Sequence, residues 1–319
     1  MKETEIKTIA CVGAGLIGYS WSVVFAVSGL SVILQDVKDT ILIDSLNHVK
    51  SSLTFLAEKG LIEKEESEAA LDRVETTTSI KKAVEAADYV QESAPETYEF
   101  KKALFREMDV IAPESTVLAS SSSALLMTEI QKATNNPQRC VLVHPWNPPH
   151  LMPLVEIAGG ERTSKETINA ACHLMTRVGK IPVILKKEAP GYIANRIQAA
   201  VLREAIDIVD KGIANVEDVD KAVSLGPALR WVVLGPFLNH HIGGKGIERF
   251  IETLGASYAL RWSTMATWTM IPPEAASKVI KGVYETEVCR TMSSDEIAEW
   301  RDNKLVELLK IIQLPKTLK

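Results

Sequence analysis

The chain of 319 residues has only four cysteines, and their scarcity limits the classes of protein to which it can belong. They are widely spaced, at positions 11, 140, 172 and 289, and include no Cys-x-x-Cys pair. Cys11 and Cys140 fall inside apolar runs, which is typical of cysteines that act as small buried hydrophobic residues. This usage favours a reducing environment, and we therefore expect the protein to be cytoplasmic.

The sequence also lacks long apolar runs and an excess of basic residues. No apolar run approaches the roughly 18 residues of a membrane-spanning helix. The N-terminal stretch 1–7 is charged and has no apolar segment of the kind found in signal peptides. The net charge of −5, from 36 Lys and Arg against 41 Asp and Glu, indicates neither nucleic acid nor an anionic membrane as a partner. We expect a soluble protein that binds a small molecule.

A glycine motif follows the first predicted strand, which runs from Thr8 to Val12. The motif reads Gly-Ala-Gly-Leu-Ile-Gly and leads into the helical apolar pattern of Trp21 to Val27. In this context the glycines allow a tight turn, close approach of a pyrophosphate to the backbone, and close packing of helix on strand. The alternative is a strand-turn-helix in which the glycines serve packing alone. The predicted cofactor contacts are Gly13, Ala14, Gly15, Leu16, Ile17 and Gly18.

Asp36 ends the second predicted strand, 23 positions after Gly13. A carboxylate at this place accepts hydrogen bonds from a ribose 2′-hydroxyl and repels a 2′-phosphate. The sequence therefore predicts NAD rather than NADP as the cofactor.

Strands and helices alternate along the chain as far as Lys187, and the remainder has the pattern of helices. We predict an α/β Rossmann-type NAD-binding domain over residues 1–187 and an all-α substrate and dimerisation domain over 188–319. Within the first domain, Ile41–Ser79 is predicted to be helical and strongly polar, with a break at Lys59-Gly60. A solvated helical hairpin and a ligand-gripping arm are both compatible with this segment.

The candidate reaction centre lies around His144, at the end of a short apolar strand. Four prolines hold the following path rigid until Glu156 returns a carboxylate on a second extended piece. A carboxylate beside a histidine orients a general base. Because a bound dinucleotide implies hydride transfer, His144 is predicted to take the hydroxyl proton with Glu156 as its partner. Ser123 and Asn195 are predicted to hold the substrate oxygen, although spacing alone leaves a purely structural histidine possible.

Five motifs together resemble the L-3-hydroxyacyl-CoA dehydrogenase superfamily over nearly the whole chain. They are Gly13-x-Gly15-x-x-Gly18, Ala119-Ser-Ser-Ser-Ser123, His144-Pro-Trp-Asn-Pro148, Pro153-Leu-Val-Glu156 and Gly191-Tyr-Ile-Ala-Asn195-Arg196. The resemblance implies a Rossmann-type domain followed by a helical domain through which two subunits form a homodimer. It also implies that Glu96 and Lys101, like Asp36, lie around NAD.

Within the superfamily the chain is similar to the small-substrate branch of L-carnitine dehydrogenase and L-gulonate 3-dehydrogenase (lambda-crystallin). Trp21, Gln91 to Glu96 and Leu229-Arg230-Trp231 carry this likeness. The acyl-CoA enzymes have a lysine-rich arm for the CoA phosphates, whereas Ile41–Ser79 has more acidic than basic residues. The resemblance implies NAD-dependent oxidation of an L-3-hydroxy group on a small free acid. A 3-hydroxyacyl-CoA such as 3-hydroxybutyryl-CoA is the alternative substrate, and an NAD-binding structural protein is the alternative of another class.

The predicted substrate contacts are Trp146, Arg230 and Trp231. Arg230 could pair with a substrate carboxylate. Trp146 and Trp231, with Trp262 and Trp268, could form an aromatic wall for a quaternary ammonium, and core packing is the other explanation for these rings. No metal site is predicted, because the adjacent side chains of His240-His241 diverge on a helix or a strand.

Overall fold

The computed structural model describes residues 6–312, and the chain divides into two compact units. The first unit ends at Arg196 and contains every strand described; the second begins at Ile197 and is helical. The predicted fold class, an α/β Rossmann-type domain followed by an all-α domain, is thereby confirmed. Most of the N-terminal stretch 1–7 lies outside the described residues. Between residues 6 and 312, no helix is long and apolar enough to cross a membrane.

The first unit is built on an eight-stranded sheet. Its strands are Thr8–Val12 (β1), Ser31–Gln35 (β2), Val74–Thr77 (β3), Tyr89–Glu92 (β4), Val117–Ser120 (β5), Cys140–Pro145 (β6), Leu154–Gly159 (β7) and Ile181–Ile184 (β8). They lie in the order β3-β2-β1-β4-β5-β6-β7-β8, and every neighbouring pair is parallel except β6 and β7. The strand order reverses between β1 and β4, where ligands bind outside the carboxyl ends of the strands in open α/β sheets.

Helices cover both faces of this sheet, which explains why its central strands are apolar along nearly their whole length. They are Leu16–Val27 (α1), Asp39–Glu58 (α2), Lys64–Asp72 (α3), Ile80–Glu85 (α4), Tyr98–Ile111 (α5), Met127–Gln131 (α6) and Lys165–Arg177 (α7). The strands β4, β5 and β6 are buried throughout. Phe105 and Met108 of α5 pack in the same core as Val90 and Leu142 of the sheet.

The prediction of helix throughout Ile41–Ser79 is wrong at its end. The break near Gly60 is present between α2 and α3, but the segment then forms β3, which pairs with β2 from Val32↔Val74 to Gln35↔Thr77. Only Val74 of this strand is buried. A short polar strand at a sheet edge lacks the alternation of apolar and polar residues that predicts a strand. It forms because β2 offers it a partner for hydrogen bonding.

The second unit consists of helices joined by short connections. They are Ala194–Asp210 (α8, whose first residues belong to the first unit), Val216–Val223 (α9), Leu229–Gly244 (α10), Ile247–Trp262 (α11), Pro273–Glu285 (α12), Glu287–Thr291 (α13) and Ser294–Ile311 (α14). A π-helical turn, Ser224–Ala228, leads into α10, and α10 kinks at Gly235 (φ 71°) before Pro236. The helix α8 begins only at Ala194, because Gly191 and Tyr192 before it have left-handed backbone conformations.

Candidate active site

The glycine motif forms the turn between β1 and α1. Gly13 has a φ of +92°, and a Cβ atom there would lie 2.8 Å from the Ser93 carbonyl oxygen. A Cβ atom at Gly18 would lie 1.7 Å from the Gly13 carbonyl oxygen, so only glycine fits between helix and strand. By contrast, nothing lies within 4 Å of a Cβ position on Gly15. The turn therefore leaves open backbone at Gly15, where a pyrophosphate can approach the N-terminus of α1.

A cavity of about 850 Å³ lies beside this turn, at the carboxyl ends of β1, β2 and β4. Gly13, Gly15, Asp36 and Pro95 are among its lining residues. The Asp36 carboxylate accepts hydrogen bonds from the backbone N–H groups of Ala14, at 2.8 Å, and of Val37, at 2.7 Å. A carboxylate on this cavity at the end of β2 could accept hydrogen bonds from a ribose, so these residues fit NAD.

Glu96 and Lys101 belong to one network of charged side chains at the same edge of the sheet, in which Lys101 is buried and the Glu96 side chain is 38% exposed. The Lys101 ammonium is 2.6 Å from the Glu92 carboxylate and 3.4 Å from that of Glu96, and it also donates to the Ala94 carbonyl oxygen. Glu92 is fully buried and accepts a further hydrogen bond from the Ser120 hydroxyl. Sequence analysis did not single out Glu92, which reads as an ordinary strand residue. Contacts of Glu96 and Lys101 with NAD stay a prediction.

Glu96 also holds the loop that carries Ser123. Its carboxylate accepts hydrogen bonds from the Ser122 hydroxyl at 2.6 Å and from the N–H groups of Ser123 and Ala124 at 2.8 and 3.0 Å. Burial works to raise the pKa of Glu96, but these bonds and the charge of Lys101 lower it below the usual value. An ionised Glu96 thus connects the loop after β4 to the loop after β5.

His144 and Glu156 meet across the only antiparallel pair in the sheet that residues 6–312 form. The strands β6 and β7 place them in register, and His144 Nδ1 lies 3.1 Å from Glu156 Oε2. His144 is 6% exposed and Glu156 is 1% exposed, so water competes little for this contact. A carboxylate on Nδ1 fixes the tautomer in which Nε2 is free to accept a proton.

Glu156 has a second set of donors at the start of α8. Its Oε1 atom accepts hydrogen bonds from the N–H groups of Ile193 at 2.8 Å and Ala194 at 3.0 Å. Burial tends to raise the pKa of Glu156, but the hydrogen bonds from His144, Ala194 and Ile193 outweigh burial and lower it. The carboxylate therefore stays ionised, as a residue that orients a catalytic histidine must.

Ser123 and Asn195 are in contact with each other, and Asn195 follows Ala194, whose N–H donates to Glu156. Ser123 is exposed on the loop after β5, and Asn195 is in the first turn of α8. The Asn195 side-chain amide donates to the Ser123 backbone carbonyl oxygen at 3.4 Å. A substrate oxygen between a hydroxyl, an amide and an imidazole would find both donors and a proton acceptor.

Tyr192 is a residue of this site that sequence analysis missed, although its neighbours Gly191 and Asn195 were noted. It is 2% exposed, and its ring centroid lies 5.2 Å from that of His144. Its hydroxyl donates to the Leu125 carbonyl oxygen at 2.8 Å. Only the left-handed backbone at Tyr192 could have indicated this role, and it is not readable from the sequence.

The three predicted substrate residues fall in different units. Trp146 follows β6, with its ring centroid 6.5 Å from that of His144 and its indole N–H buried without a partner. Arg230 and Trp231 are on α10 in the second unit. Core packing does not explain Trp262, which is 64% exposed. An aromatic wall therefore stays a prediction.

His240 and His241 do not form a metal site with other side chains in the part of the chain that the structure describes. His240 contacts the Pro236 carbonyl oxygen at 2.6 Å and the Tyr258 hydroxyl at 2.7 Å. Across residues 6–312, no three His, Cys, Asp or Glu side chains come together as metal ligands would.

Comparison with known protein families agrees with this architecture. Residues 8–189 match the NAD binding domain of 3-hydroxyacyl-CoA dehydrogenase, and residues 191–287 match the C-terminal domain of the same enzyme. The chain belongs to the 3-hydroxyacyl-CoA dehydrogenase family, and the resemblance found in its motifs is confirmed. It is an NAD-dependent oxidoreductase that acts on a 3-hydroxy group.

Individual relatives are similar over nearly their whole length. The L-carnitine dehydrogenase of Oceanobacillus iheyensis is 35% identical over 312 residues, covering 97% of this chain and 98% of the relative. That of Streptomyces coelicolor is 36% identical over 308 residues, covering 96% and 95%.

Two solved structures are also similar. An NAD-dependent dismutase, 5-formyl-3-hydroxy-2-methylpyridine 4-carboxylic acid 5-dehydrogenase, has a TM-score of 0.82 at 27% identity, with 96% of this chain and 98% of that chain covered. The (S)-3-hydroxybutyryl-CoA dehydrogenase of Ralstonia eutropha has a TM-score of 0.66 at 31% identity, with 80% and 89% covered.

Proposed function

We propose that the protein oxidises the L-3-hydroxy group of a small free acid, such as L-carnitine or L-gulonate, to the 3-keto product. The oxidation of a hydroxyl group is supported by the contact between His144 and Glu156 and by the contact between Asn195 and the Ser123 backbone. NAD, when bound beside the glycine turn, would supply the hydride acceptor. Nε2 of His144 takes the hydroxyl proton, Glu156 holds the imidazole in the required tautomer, and the other two residues hold the substrate oxygen.

The charge of the helical arm supports a free acid over a CoA thioester. Residues 41–79 contain eight acidic and four basic residues, and α3 begins with Glu65 and Glu66 in its first turn. Such an arm repels the phosphates of CoA rather than binding them. The similarity to enzymes named L-carnitine dehydrogenase points in the same direction. The similarity to a 3-hydroxybutyryl-CoA dehydrogenase supports the competing substrate class.

Parallel assays of NADH formation test the substrate. L-carnitine, L-gulonate and (S)-3-hydroxybutyryl-CoA are compared at equal NAD concentration, and we expect kcat/KM to be highest for one of the two free acids. A higher kcat/KM for the thioester would overturn the preference for a free acid. Absence of NADH with all three would support an NAD-binding structural protein instead.

Replacement of His144 tests the mechanism. His144→Gln keeps a polar side chain of similar reach but removes the proton acceptor, so kcat should fall by roughly 100- to 10,000-fold. NAD affinity, measured by fluorescence quenching or calorimetry, should stay within about twofold, because the glycine turn is untouched. Near-normal turnover in this variant would show that His144 is not the base.

The predicted homodimer has support in the second unit. No residue of α10 or α11 is buried within the chain, although both helices are rich in large apolar side chains. Phe237 is 82% exposed and Leu260 is 71% exposed. A second subunit would cover such a surface. The proposed domain boundary after Lys187 assigns these helices to the domain that forms the dimer.

A cytoplasmic location is proposed from the cysteines. All four are free, and Cys11 and Cys140 are buried in the sheet. Burial raises the pKa of each of these two thiols to about 12, so they stay protonated and unreactive.

A further inference from the structure

Tyr192 has a backbone conformation that bulky residues rarely adopt. Its φ of 52° lies in the left-handed region, directly after Gly191 at 76°. Glycine or asparagine accepts this conformation with less strain, whereas a tyrosine in it is an outlier. Strain of this kind persists where the surroundings impose it, and it is concentrated at functional sites. The side chain of Tyr192 should therefore supply something that glycine or asparagine could not.

The Tyr192 ring packs against the imidazole of His144. The ring centroids are 5.2 Å apart with the planes at 51°, and the tyrosine is 2% exposed. Glu156 holds His144 through its contact with Nδ1, and the Trp146 ring centroid lies 6.5 Å from that of the imidazole. One hydrogen bond fixes one atom of the imidazole but still allows rotation about that bond. The tilted Tyr192 ring in contact with the imidazole restricts the plane of the imidazole and hence the direction of Nε2.

The Tyr192 hydroxyl reaches the loop of Ser123. It donates to the Leu125 carbonyl oxygen at 2.8 Å, two residues after Ser123. Burial is the main cause that raises the pKa of the phenol far above its ordinary value, so the hydroxyl is protonated and able to donate at neutral pH. The same side chain thus contacts the histidine and restrains the loop that bears the serine.

The backbone turn at Gly191 and Tyr192 brings the N–H groups that follow it to Glu156. Immediately after it, the N–H groups of Ile193 and Ala194 donate to the Glu156 carboxylate at 2.8 and 3.0 Å. The left-handed conformation therefore serves two purposes at once: it orients these donors and it turns the tyrosine ring toward His144.

We propose that Tyr192 is a positioning residue for the dehydrogenation, whose ring sets the plane of the His144 imidazole and whose hydroxyl sets the Ser123 loop relative to it. The proposal rests on the roles proposed above for His144 and Ser123. In the reaction, the substrate oxygen must face both residues together, and a displacement of about 1 Å can cost on the order of 100-fold in rate.

Two substitutions at Tyr192 distinguish the contribution of its side chain to turnover from that of its backbone conformation. Tyr192→Asn keeps a residue that tolerates positive φ but removes ring and hydroxyl, and we expect kcat to fall roughly 30- to 100-fold. Its kcat–pH profile should shift along the pH axis, while the Kd for NAD stays within about twofold because the glycine turn is remote. Tyr192→Phe keeps the ring and loses one hydrogen bond, so kcat should fall only about fivefold.

Tyr98, the first residue of α5, offers a matched control because its hydroxyl contacts the same segment of chain. Its hydroxyl accepts a hydrogen bond from the Leu126 N–H at 3.1 Å, one residue beyond the Tyr192 contact, and its ring lies against Lys102. Tyr98→Phe should leave kcat within about twofold of the wild type. An equal loss in Tyr98→Phe and Tyr192→Phe would overturn the role of the Tyr192 hydroxyl.

Turnover and folding are measured together in these variants. If Tyr192→Asn keeps kcat within about threefold and an unshifted pH profile, Tyr192 is a turn residue only and the proposal is wrong. If Tyr192→Asn does not fold, an unchanged kcat in Tyr192→Phe overturns the hydroxyl's role instead. His144→Gln distinguishes this failure from that of the proposed function. Activity retained in His144→Gln refutes the mechanism, whereas activity lost there but retained in Tyr192→Asn refutes only the positioning role.

Discussion

At the scale of single residues, Lys180 is a buried cation that contacts the connection between β6 and β7. It is 8% exposed, and its ammonium donates to the carbonyl oxygens of Pro149 and Met152. Both carbonyls belong to the connection that joins β6 with His144 to β7 with Glu156. Burial lowers the pKa of Lys180 to about 8 from an ordinary 10.5. The charge therefore helps to shape this connection but is costly to bury.

The depressed pKa predicts how stability changes with pH. Below pH 8 Lys180 is charged in both folded and unfolded chains, and the folded chain bears the full cost of burying the charge. Between pH 8 and 10.5 the unfolded chain binds more protons than the folded chain, so stability rises with pH. From pH 7 to pH 9.5 wild type should gain about 2 kcal/mol in unfolding free energy relative to Lys180→Met, measured by urea titration.

An exposed lysine provides the control for this prediction. The Lys82 side chain is 62% exposed, and Lys82→Met should show no comparable pH-dependent difference from wild type. A difference between wild type and Lys180→Met that is constant from pH 7 to pH 9.5 would show that Lys180 bears no such cost.

At the scale of elements, two glycines of the β1–α1 turn have different roles. A methyl group at Gly18 would lie 1.7 Å from the Gly13 carbonyl oxygen, whereas one at Gly15 meets no protein atom within 4 Å. Gly15 also has an ordinary φ of −66°. Gly18 is therefore required by packing, whereas Gly15 leaves space that a pyrophosphate can use.

Alanine at each position should therefore have a different effect. Gly18→Ala should lower the melting temperature by several degrees, because the helix must move away from the strand. Gly15→Ala should unfold near the wild-type temperature but raise the Kd for NAD by roughly tenfold or more, because the methyl group occupies the cofactor's approach. Calorimetry gives both quantities. Unchanged NAD affinity in Gly15→Ala would place the pyrophosphate elsewhere.

Elements with strong local signals could be predicted, and those formed through distant partners could not. The glycine turn, β6 and β7 were readable because apolar runs and prolines define them, and register then brings His144 to Glu156. The strand β3 was not, because three of its four residues are exposed or half-buried and pairing with β2 creates it. Tyr192 was missed for a related reason: its conformation depends on Glu156 and Leu125, which are distant in sequence.

At the scale of the whole molecule, the apolar surface of the second unit needs an explanation. Along Leu229–Gly244, large apolar residues occur on all sides of the helix, and Phe237, Val233 and Ile242 are 82%, 64% and 62% exposed. A helix that is apolar all round is normally buried. Because two-fold homodimers are the commonest soluble oligomers, a second copy of the chain is the simplest cover for it.

The proposed dimer can be tested by placing a single charge on this surface. Sedimentation should give a mass near twice 35.0 kDa for wild type. Phe237→Glu should shift the protein toward the monomer at micromolar concentration, because an unpaired carboxylate would be buried in the interface. Val110→Glu in α5, where the side chain is 73% exposed in the first unit, should leave the dimer intact. A Phe237→Glu protein that stays dimeric would exclude this part of α10 from the interface and leave its apolar surface to another partner.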